Sequence, residues 1–300
     1  MTAGTEQTGT TELAHGFCFG EGPRWFEGLL WFSDMLGETV HTVTLSGSMT
    51  SLPVPGHSPS GLGFRPDGTL LIVSAERRQV LRYDGDTVEL LADLSDLVPA
   101  ALGDMVVDEH GRAYVGSQAR LRGERSDGEI DRGGVIVRID PDNETDPVRV
   151  VAEHLDFPNG MVITPDGSTL IVAESTARRL SAFTIRADGS LTDRRVFADG
   201  LDGPPDGLAI DAEGGVWAAL TLAQEFQRIA PDGSAVTHRI DADGRTAIAC
   251  ALGGAEGRTL FLVTTTDAYP ERLIGTKLSR VEALMVETPA PGDHDTHHHH

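Results

Sequence analysis

The chain has 300 residues but only two cysteines, one lysine and no long apolar run, and each shortage excludes a class of protein. Cys18 and Cys250 are too few for a disulfide scaffold and form no C-x-x-C motif, so we expect two free thiols in a reducing compartment; a disulfide between them is the alternative. The only lysine, Lys277, argues against Schiff-base chemistry. The sequence also lacks a phosphate-binding G-x-x-x-x-G-K motif and a zinc-binding H-E-x-x-H motif.

Targeting segments and positive charge are scarce as well. No apolar run approaches the roughly 20 residues of a membrane span, and the N-terminal segment lacks the basic flank and apolar centre of a signal peptide. Acidic residues outnumber basic residues by 46 to 24, which gives a formal charge of −22. This charge repels phosphate backbones and anionic membranes and attracts cations. We therefore expect a cytoplasmic monomer that binds a small molecule, with no nucleic-acid or membrane partner.

The dominant pattern is one of short β-strands, because helical periodicity is nearly absent and runs of Val, Ile, Leu and Thr alternate with turn clusters. Similar turns recur around six glycines, which are Gly28, Gly68, Gly111, Gly167, Gly214 and Gly257. The steps between them are 40, 43, 56, 47 and 43 residues, close to the length of one four-stranded propeller blade. The sequence therefore predicts an all-β, six-bladed β-propeller in which each glycine supplies the positive φ of a hairpin turn.

The two ends of the chain indicate how the propeller closes. Arg280–Glu287 supplies only one strand after the last hairpin, and Glu12–Phe19 can provide the missing strand and close the ring. We expect residues 1–11 to be disordered, residues 12–287 to form a single domain, and residues 288–300 to be a tail that ends in a His-tag remnant. The alternatives are a β-sandwich or two smaller β domains, and a native metal-binding His tract at the end of the chain.

A polar residue stands where three of the inner strands begin. Counting back eight residues from the turn glycine gives Asn159 in one blade and Asp206 in the next, and Glu21 stands seven residues before Gly28. Equal offsets from equivalent turns place side chains at one height, facing the channel axis. Three oxygen donors that converge there would repel each other without a cation between them. Such donors suit Ca²⁺, Mg²⁺ or Mn²⁺; the alternative is that each residue only forms a loop turn.

Around these residues the chain resembles the regucalcin and gluconolactonase family over nearly its whole length. The resemblance rests on the motifs F-G-E-G-P, F-P-N-G-M, P-P-D-G-L-A-I-D-A-E-G and C-A-L-G-G. It implies a six-bladed propeller that hydrolyses lactones at one divalent cation, Ca²⁺ first, with Mg²⁺, Mn²⁺ or Zn²⁺ as alternatives. It also implies that Glu21, Asn159 and Asp206 are the metal ligands and that Asp206 is the general base.

One motif departs from the family pattern. The family carries an Asn directly before the Asp of its third-blade motif, and often an Arg two residues earlier, whereas this chain has Gly103 and Ala101 before a retained Asp104. Ser60 and Ala249 stand at the same offset as Gly103 in two further blades. A sugar lactone would lose hydroxyl-binding partners here, so we expect a less polar lactone or ester than gluconolactone. The alternatives are organophosphate or aryl ester hydrolysis on the same site, and a calcium-binding propeller without catalysis.

Two long loops, residues 118–134 and 266–278, return to the channel mouth, and we interpret them as a partial lid. The alternative is that both are merely disordered surface segments. The loops, the third-blade motif and the mouth of the second blade together supply five candidate substrate-binding residues, Asp104, Met105, His57, Arg122 and Tyr269.

Overall fold

The computed structural model describes residues 9–121, 127 and 132–292. Within these residues, 24 strands form six four-stranded antiparallel sheets. The sheets are arranged as a six-bladed β-propeller, which confirms the predicted fold.

The blades follow one another along the chain. Blade 1 contains β2 (Gly20–Phe26), β3 (Leu29–Asp34), β4 (Thr39–Val43) and β5 (Met49–Pro53). Blade 2 contains β6 (Pro59–Phe64), β7 (Leu70–Ser74), β8 (Gln79–Tyr83) and β9 (Val88–Asp93). Blade 3 contains β10 (Leu102–Val107), β11 (Ala113–Ser117), β12 (Gly134–Ile139) and β13 (Val148–Leu155).

The second half of the chain builds the other three blades. Blade 4 contains β14 (Pro158–Ile163), β15 (Thr169–Glu174), β16 (Arg179–Ile185) and β17 (Leu191–Ala198). Blade 5 contains β18 (Pro205–Ile210), β19 (Val216–Leu220), β20 (Glu225–Ile229) and β21 (Val236–Asp241). Blade 6 contains β22 (Thr246–Gly253), β23 (Thr259–Thr265), β24 (Ser279–Met285) and β1 (Thr11–Phe17). Two short 3₁₀ helices lie in loops, at Ser175–Ala177 and Pro270–Arg272.

The repeated glycines form the turns between the first and second strand of each blade. All six have positive φ, between 69° at Gly257 and 86° at Gly68, as the sequence predicts. Positive φ is costly for residues with a Cβ atom, so glycine is the residue that these turns favour. In blade 1 the turn contains only Glu27 and Gly28, both with positive φ. This shorter turn explains why Glu21 stands seven residues, not eight, before its glycine.

The ring is closed by the N-terminal strand, as predicted. β1 pairs antiparallel with β24, with Thr11 opposite Ala283 and Phe17 opposite Ser279. β1 begins at Thr11, the last residue of the segment 1–11 expected to be disordered, and the domain bounds as a whole stay a prediction. Beyond β24 the backbone also makes contacts, because Pro289 O accepts a hydrogen bond from Ala212 N of blade 5 at 2.8 Å.

The core lies between neighbouring blades. Leu30 and Phe32 of blade 1 pack with Phe261 and Val263 of blade 6, all fully buried. Equivalent clusters separate the other blades, so each sheet buries both of its faces against its two neighbours. The first strands β2, β6, β10, β14, β18 and β22 form the inner ring, where each contacts the next. No helix among the described residues is long and apolar enough to cross a membrane.

Candidate metal centre

Every inner strand is irregular at the same point, close to its first residues. The pairing with the second strand shifts between Pro158 and Met161 in β14, and between Pro205 and Leu208 in β18. The other four inner strands shift near the same position. A bulge of this kind leaves residues unpaired and redirects a side chain. Asn159 therefore lies in a bulge and not in a regular strand, which accounts for an Asn at a position that strands disfavour.

Glycines beside the bulges let the inner strands touch. A Cβ atom on Gly160 would lie 2.4 Å from Asp206 O, and one on Gly22 would lie 2.4 Å from Ser60 O. Any side chain at these two positions would push the neighbouring backbone away. The N-G and E-G pairs of the sequence thus combine an oxygen-bearing side chain with a close approach between neighbouring strands.

Blade 6 does not follow the constant offset from the turn glycine. A Cβ atom on Gly207 would lie 2.6 Å from Ala249 Cα, so Ala249 corresponds to the glycine and not to Asp206. Ile248, which is 1% exposed, takes the corresponding place. The reason is length: β22 has 8 residues, whereas β18 has 6.

A short hydrogen-bond chain joins the strands that carry Asn159 and Asp206. Asn159 Nδ2 donates to Ser175 Oγ at 3.2 Å, and Ser175 Oγ donates to Pro205 O at 2.6 Å. Pro205 directly precedes Asp206, so blades 4 and 5 are coupled at the mouth. Asn159 and Asp206 are 8% and 9% exposed, so both are largely shielded from water.

The carboxylates of the mouth repel one another. Burial raises the pKa of Glu21 well above its ordinary value, and the negative charges of Asp206 and Asp104 raise it further. A hydrogen bond from Gly22 N and the positive charge of Arg24 lower this pKa but do not cancel the rise. Burial and the charge of Asp104 also raise the pKa of Asp206 well above its ordinary value, whereas hydrogen bonding to Asn159 lowers it. At the predicted register, Glu21 and Asp206 thus repel each other, and Asn159 stabilises the charged form of Asp206.

Arg24 is a member of this cluster that sequence reasoning missed. Its Nη2 donates to Asp104 Oδ1 at 3.0 Å and to Met105 O at 2.7 Å, so it joins blade 1 to blade 3. Burial raises the pKa of Asp104, while Arg24 and a bond from Met105 N oppose that rise. The available signal was weak: Arg24 falls three residues after Glu21, beyond the bulge, where its direction does not follow from simple strand alternation.

The donor set fits a single divalent cation. Among the described residues, the buried Asp206 Oδ1 has no hydrogen-bond partner, which is costly unless something binds it. Glu21, Asp104, Asp206 and Arg24 carry a net charge of −2 when ionised, which one divalent cation would cancel. No three His, Cys, Asp or Glu side chains in the described part are grouped to hold a metal by themselves, so the Asn159 amide would complete the set.

The comparison with known proteins agrees with this architecture. A family model described as SMP-30/Gluconolactonase/LRE-like region matches residues 19–266. This chain belongs to that family. The matched region begins just before Glu21 and spans all six inner strands.

Members and structural relatives of the SMP-30/gluconolactonase/LRE-like family align over most of the chain. A pentonolactonase of Haloferax volcanii is 26% identical over 250 residues, covering 82% of this chain and 81% of that protein. The solved structure of a gluconolactonase from Xanthomonas campestris is 26% identical with a TM-score of 0.72, covering 91% and 89% of the two chains. A regucalcin from Agrobacterium tumefaciens, described as a calcium-binding protein, shares the fold at 23% identity and a TM-score of 0.73, covering 95% and 97%.

Two buried acids outside the channel hold the loops that lead to Glu21 and Asn159. Asp34, at the end of β3, accepts bonds from Cys18 N and Phe19 N, both at 3.0 Å, just before Glu21. Glu174, at the end of β15, accepts a bond from Asp156 N at 2.8 Å, just before Asn159. The sequence could have indicated this role, because the second strands of blades 1 and 4 end in an acid whereas those of blades 2 and 3 end in serine.

Glu174 is the more strongly held of the two acids. Its carboxylate pairs with Arg179 at 3.0 Å and with Arg194 at 3.2 Å, and it also accepts a bond from Ser181. Burial alone would raise its pKa, but bonds from Arg179, Ser181 and Asp156 N together hold the pKa below its ordinary value. The carboxylate therefore stays ionised inside the blade.

The remaining candidate substrate-binding residues lie in different environments. The Met105 side chain is 0% exposed and packs in the core between blades 2 and 3, so Met105 reaches the Arg24 cluster only through its backbone carbonyl and N–H. His57 lies on the mouth side with Nδ1 2.7 Å from Ser74 Oγ, and Tyr269 is exposed beneath the guanidinium of Arg272. Arg122 lies outside the described residues.

The loop at residues 266–278 is partly anchored in the propeller. Leu273 is 3% exposed and packs in the core cluster between blades 6 and 1, and Cys18 Sγ donates to Thr276 O at 2.8 Å. Cys18 and Cys250 are both free thiols, as expected. The interpretation of the two long loops as a lid stays a prediction.

Proposed function

We propose that this protein is a divalent-metal-dependent hydrolase that opens a lactone ring, or cleaves a related ester, at the mouth of the central channel. The observation that carries the proposal is the buried Asp206 Oδ1, which lacks a hydrogen-bond partner in the described structure and lies among like charges. Membership of a family that includes proteins named as lactonases supports the reaction type.

The side chains of the mouth can divide the work of hydrolysis. Glu21, Asn159 and Asp206 would hold the cation, which supplies charge to polarise the substrate carbonyl and to acidify water. Asp206 would take a proton from the attacking water, and its Oδ1, which has no hydrogen-bond partner among the described residues, supports this role. Arg24 keeps Asp104 paired, which leaves Asp206 as the acid with an unpartnered oxygen, Oδ1, among the described residues.

The donor chemistry favours Ca²⁺ as the resident cation. Two carboxylates and one amide offer only oxygen ligands, which hard cations prefer. Mg²⁺, Mn²⁺ and Zn²⁺ are the alternatives. Elemental analysis of the purified protein identifies the metal directly.

The residues around the mouth favour a substrate that is less polar than gluconolactone. Ala101 and Gly103 offer no side-chain hydrogen bonds to sugar hydroxyl groups. Several loops on the mouth side also expose large apolar side chains, at Leu97, Leu121, Leu222, Tyr269, Ile274 and Leu278. Such a rim can bind an alkyl or aryl substituent next to the reacting ring.

One panel of assays tests the proposal. Apolar lactones, sugar lactones, aryl esters and phosphotriesters are each assayed before and after removal of metal by a chelator. We expect hydrolysis of apolar lactones that disappears with chelator and returns with Ca²⁺. Turnover of only phosphotriesters or aryl esters would establish the alternative activity, organophosphate or aryl ester hydrolysis on the same site. Stoichiometric calcium with no turnover of any substrate would establish a binding protein instead.

We further propose that the protein acts as a monomer in the cytoplasm on a small molecule. The net charge of −22 supports this, because it disfavours self-association, nucleic acids and anionic membranes alike. Sedimentation equilibrium across a range of concentrations tests the monomer, and a dimer at micromolar concentration would contradict it.

A further inference from the structure

The space beside Gly103 is filled by another residue of the same blade. A Cβ atom on Gly103 would lie 2.3 Å from Gln118 Nε2 and 2.6 Å from Gln118 Cδ. Gln118 is the first residue after β11, whereas Gly103 lies on the inner strand β10. The carboxamide of Gln118 therefore occupies the position where a side chain on residue 103 would begin.

Blade 4 shows the same pair of positions with the sizes exchanged. Its inner strand carries Asn159, and Ser175, the first residue after β15, lies against it with 3.2 Å between Asn159 Nδ2 and Ser175 Oγ. In blade 4 the long amide side chain comes from the inner strand and the small residue from the loop. In blade 3 the inner strand has the small residue, Gly103, and the loop has the amide, Gln118.

The Gln118 backbone is fixed while its side-chain amide is free. Gln118 N donates to Ala101 O at 2.9 Å, which ties the residue to the start of the inner strand. The carbonyl of Gly103 is bound by Ser60 Oγ at 2.6 Å, so the strand beneath is held as well. Among the described residues, no hydrogen bond engages the Gln118 side chain, which is only partly buried. Its donor is available to a ligand.

We propose that Gln118 is a specificity-determining residue that donates a hydrogen bond from Nε2 to a substrate oxygen at the channel mouth. The proposal rests on the proposed hydrolase function and names the substrate contact on the blade 3 side. An apolar lactone or ester offers only acceptor oxygens, so a single amide donor suits it better than a set of hydroxyl-binding groups. The long side chain also covers the space that a residue larger than glycine at position 103 would need.

An exchange experiment tests this role. Gln118→Ser should lower kcat/KM for the best apolar lactone about fivefold to tenfold, as expected for one hydrogen bond of roughly 1 kcal/mol. The double variant Gly103→Asn with Gln118→Ser copies the blade 4 pair and should recover most of the loss, because the amide returns from the inner strand. Gln79→Ser, on the third strand of blade 2, β8, is the matched control and should leave kcat/KM unchanged.

Binding of an unreactive ring separates this proposal from the function on which it rests. A lactam or cyclic ether of the same ring size is titrated into wild-type protein and Gln118→Ser, and its affinity is measured by ligand-observed NMR. We expect wild-type binding that weakens about fivefold to tenfold in Gln118→Ser. Weakened binding without any hydrolysis would overturn the hydrolase and leave the Gln118 contact standing. Hydrolysis and binding that are both unchanged in Gln118→Ser would overturn the Gln118 proposal alone.

Discussion

Two sets of blades at the channel mouth share the same backbone geometry but differ in their side chains. Blades 1, 4 and 5 present Glu21, Asn159 and Asp206, whereas blades 2 and 3 present Ser60 and Gly103 at the corresponding positions. The inner strands of both sets bulge at the same point. The backbone geometry is therefore a property of the scaffold, and the candidate chemistry depends on which side chains occupy the bulges.

The loops that lead to the mouth differ in the same way. Buried carboxylates hold the loops before Glu21 and Asn159, while hydroxyl groups stand at the equivalent strand ends of blades 2 and 3. Ser60 itself bonds to a backbone carbonyl, so its hydroxyl already has a partner. Blades 1 and 4 thus combine an oxygen-bearing side chain with a charged support, whereas blades 2 and 3 combine a small residue with a neutral support.

Removing Asp206, the acid with an unpartnered oxygen among the described residues, should have the largest effect on this comparison. Asp206→Ala should lower kcat/KM by at least about 10²–10³, because it removes both a cation ligand and the proposed proton acceptor. Steady-state kinetics and elemental analysis of the same preparation measure the two losses. Asp232→Ala, an exposed turn residue of the same blade, is the control and should retain activity. Full turnover in Asp206→Ala with stoichiometric metal would remove Asp206 from the mechanism.

Neutralising the support of blade 4 should reduce stability before it reduces chemistry. Glu174→Gln leaves Arg179 and Arg194 without their anion, and we expect the free energy of unfolding at pH 7 to fall by about 2–3 kcal/mol, allowing for the partial exposure of both arginines. Urea unfolding of both proteins measures the difference. Ser117→Ala, at the equivalent strand end of blade 3, removes only two neutral bonds, one donated to Ala100 O and one accepted from Ala100 N, and should cost about 1–2 kcal/mol.

The pH dependence of that difference gives a second check. The pKa of Glu174 in the folded protein lies below its ordinary value of 4.5, so the stabilisation is fully present above pH 4.5. It is lost as pH falls through the lowered pKa, because the carboxylate must then take up a proton. The gap between wild type and Glu174→Gln should therefore shrink below about pH 4.5. A gap that grows on acidification would contradict an ionised Glu174.

The close contact between the two ligand-bearing strands offers a smaller test. Gly160→Ala places a Cβ atom 2.4 Å from Asp206 O, so strand β14 or β18 must move and the protein should lose about 1–3 kcal/mol together with cation affinity. Gly116→Ala, on β11, meets its nearest neighbour at 3.5 Å and is the matched control. Thermal unfolding with and without Ca²⁺ measures both effects. Equal stability and equal Ca²⁺ response in the two variants would show that the contact does not position Asp206.

The sequence predicts the scaffold well because each blade repeats the same local rule. A turn glycine with positive φ and alternating strands recur six times, and closure follows from one unmatched strand at each end of the chain. The offset from the turn also selects Glu21, Asn159 and Asp206, although their joint binding of a cation stays a prediction. The offset fails in blade 6, where a longer hairpin shifts Ala249 relative to Gly207.

Contacts between blades are what the sequence does not give. Arg24 and Asp104 are 80 residues apart and meet inside the channel, and no local pattern encodes that pairing. Met105 follows Asp104 directly, yet the core takes up its side chain because neighbouring residues of a strand point to opposite faces. Gln118 belongs to a loop whose direction depends on the space left by Gly103, a consequence of packing and not of spacing.

The mildest test removes a side chain from blade 2, one of the two blades with a small residue at the mouth. Ser60→Ala deletes the bond from Ser60 Oγ to Gly103 O and should cost about 1 kcal/mol of stability while changing kcat/KM by no more than about threefold. Asn159→Ala, the equivalent change in blade 4, should lower Ca²⁺ affinity and kcat/KM together, because it removes a proposed ligand. Calorimetric Ca²⁺ titration and steady-state kinetics compare the pair. If Ser60→Ala impaired Ca²⁺ binding as much as Asn159→Ala, blade 2 would also contribute to the cation site, and blades 1, 4 and 5 alone would not account for it.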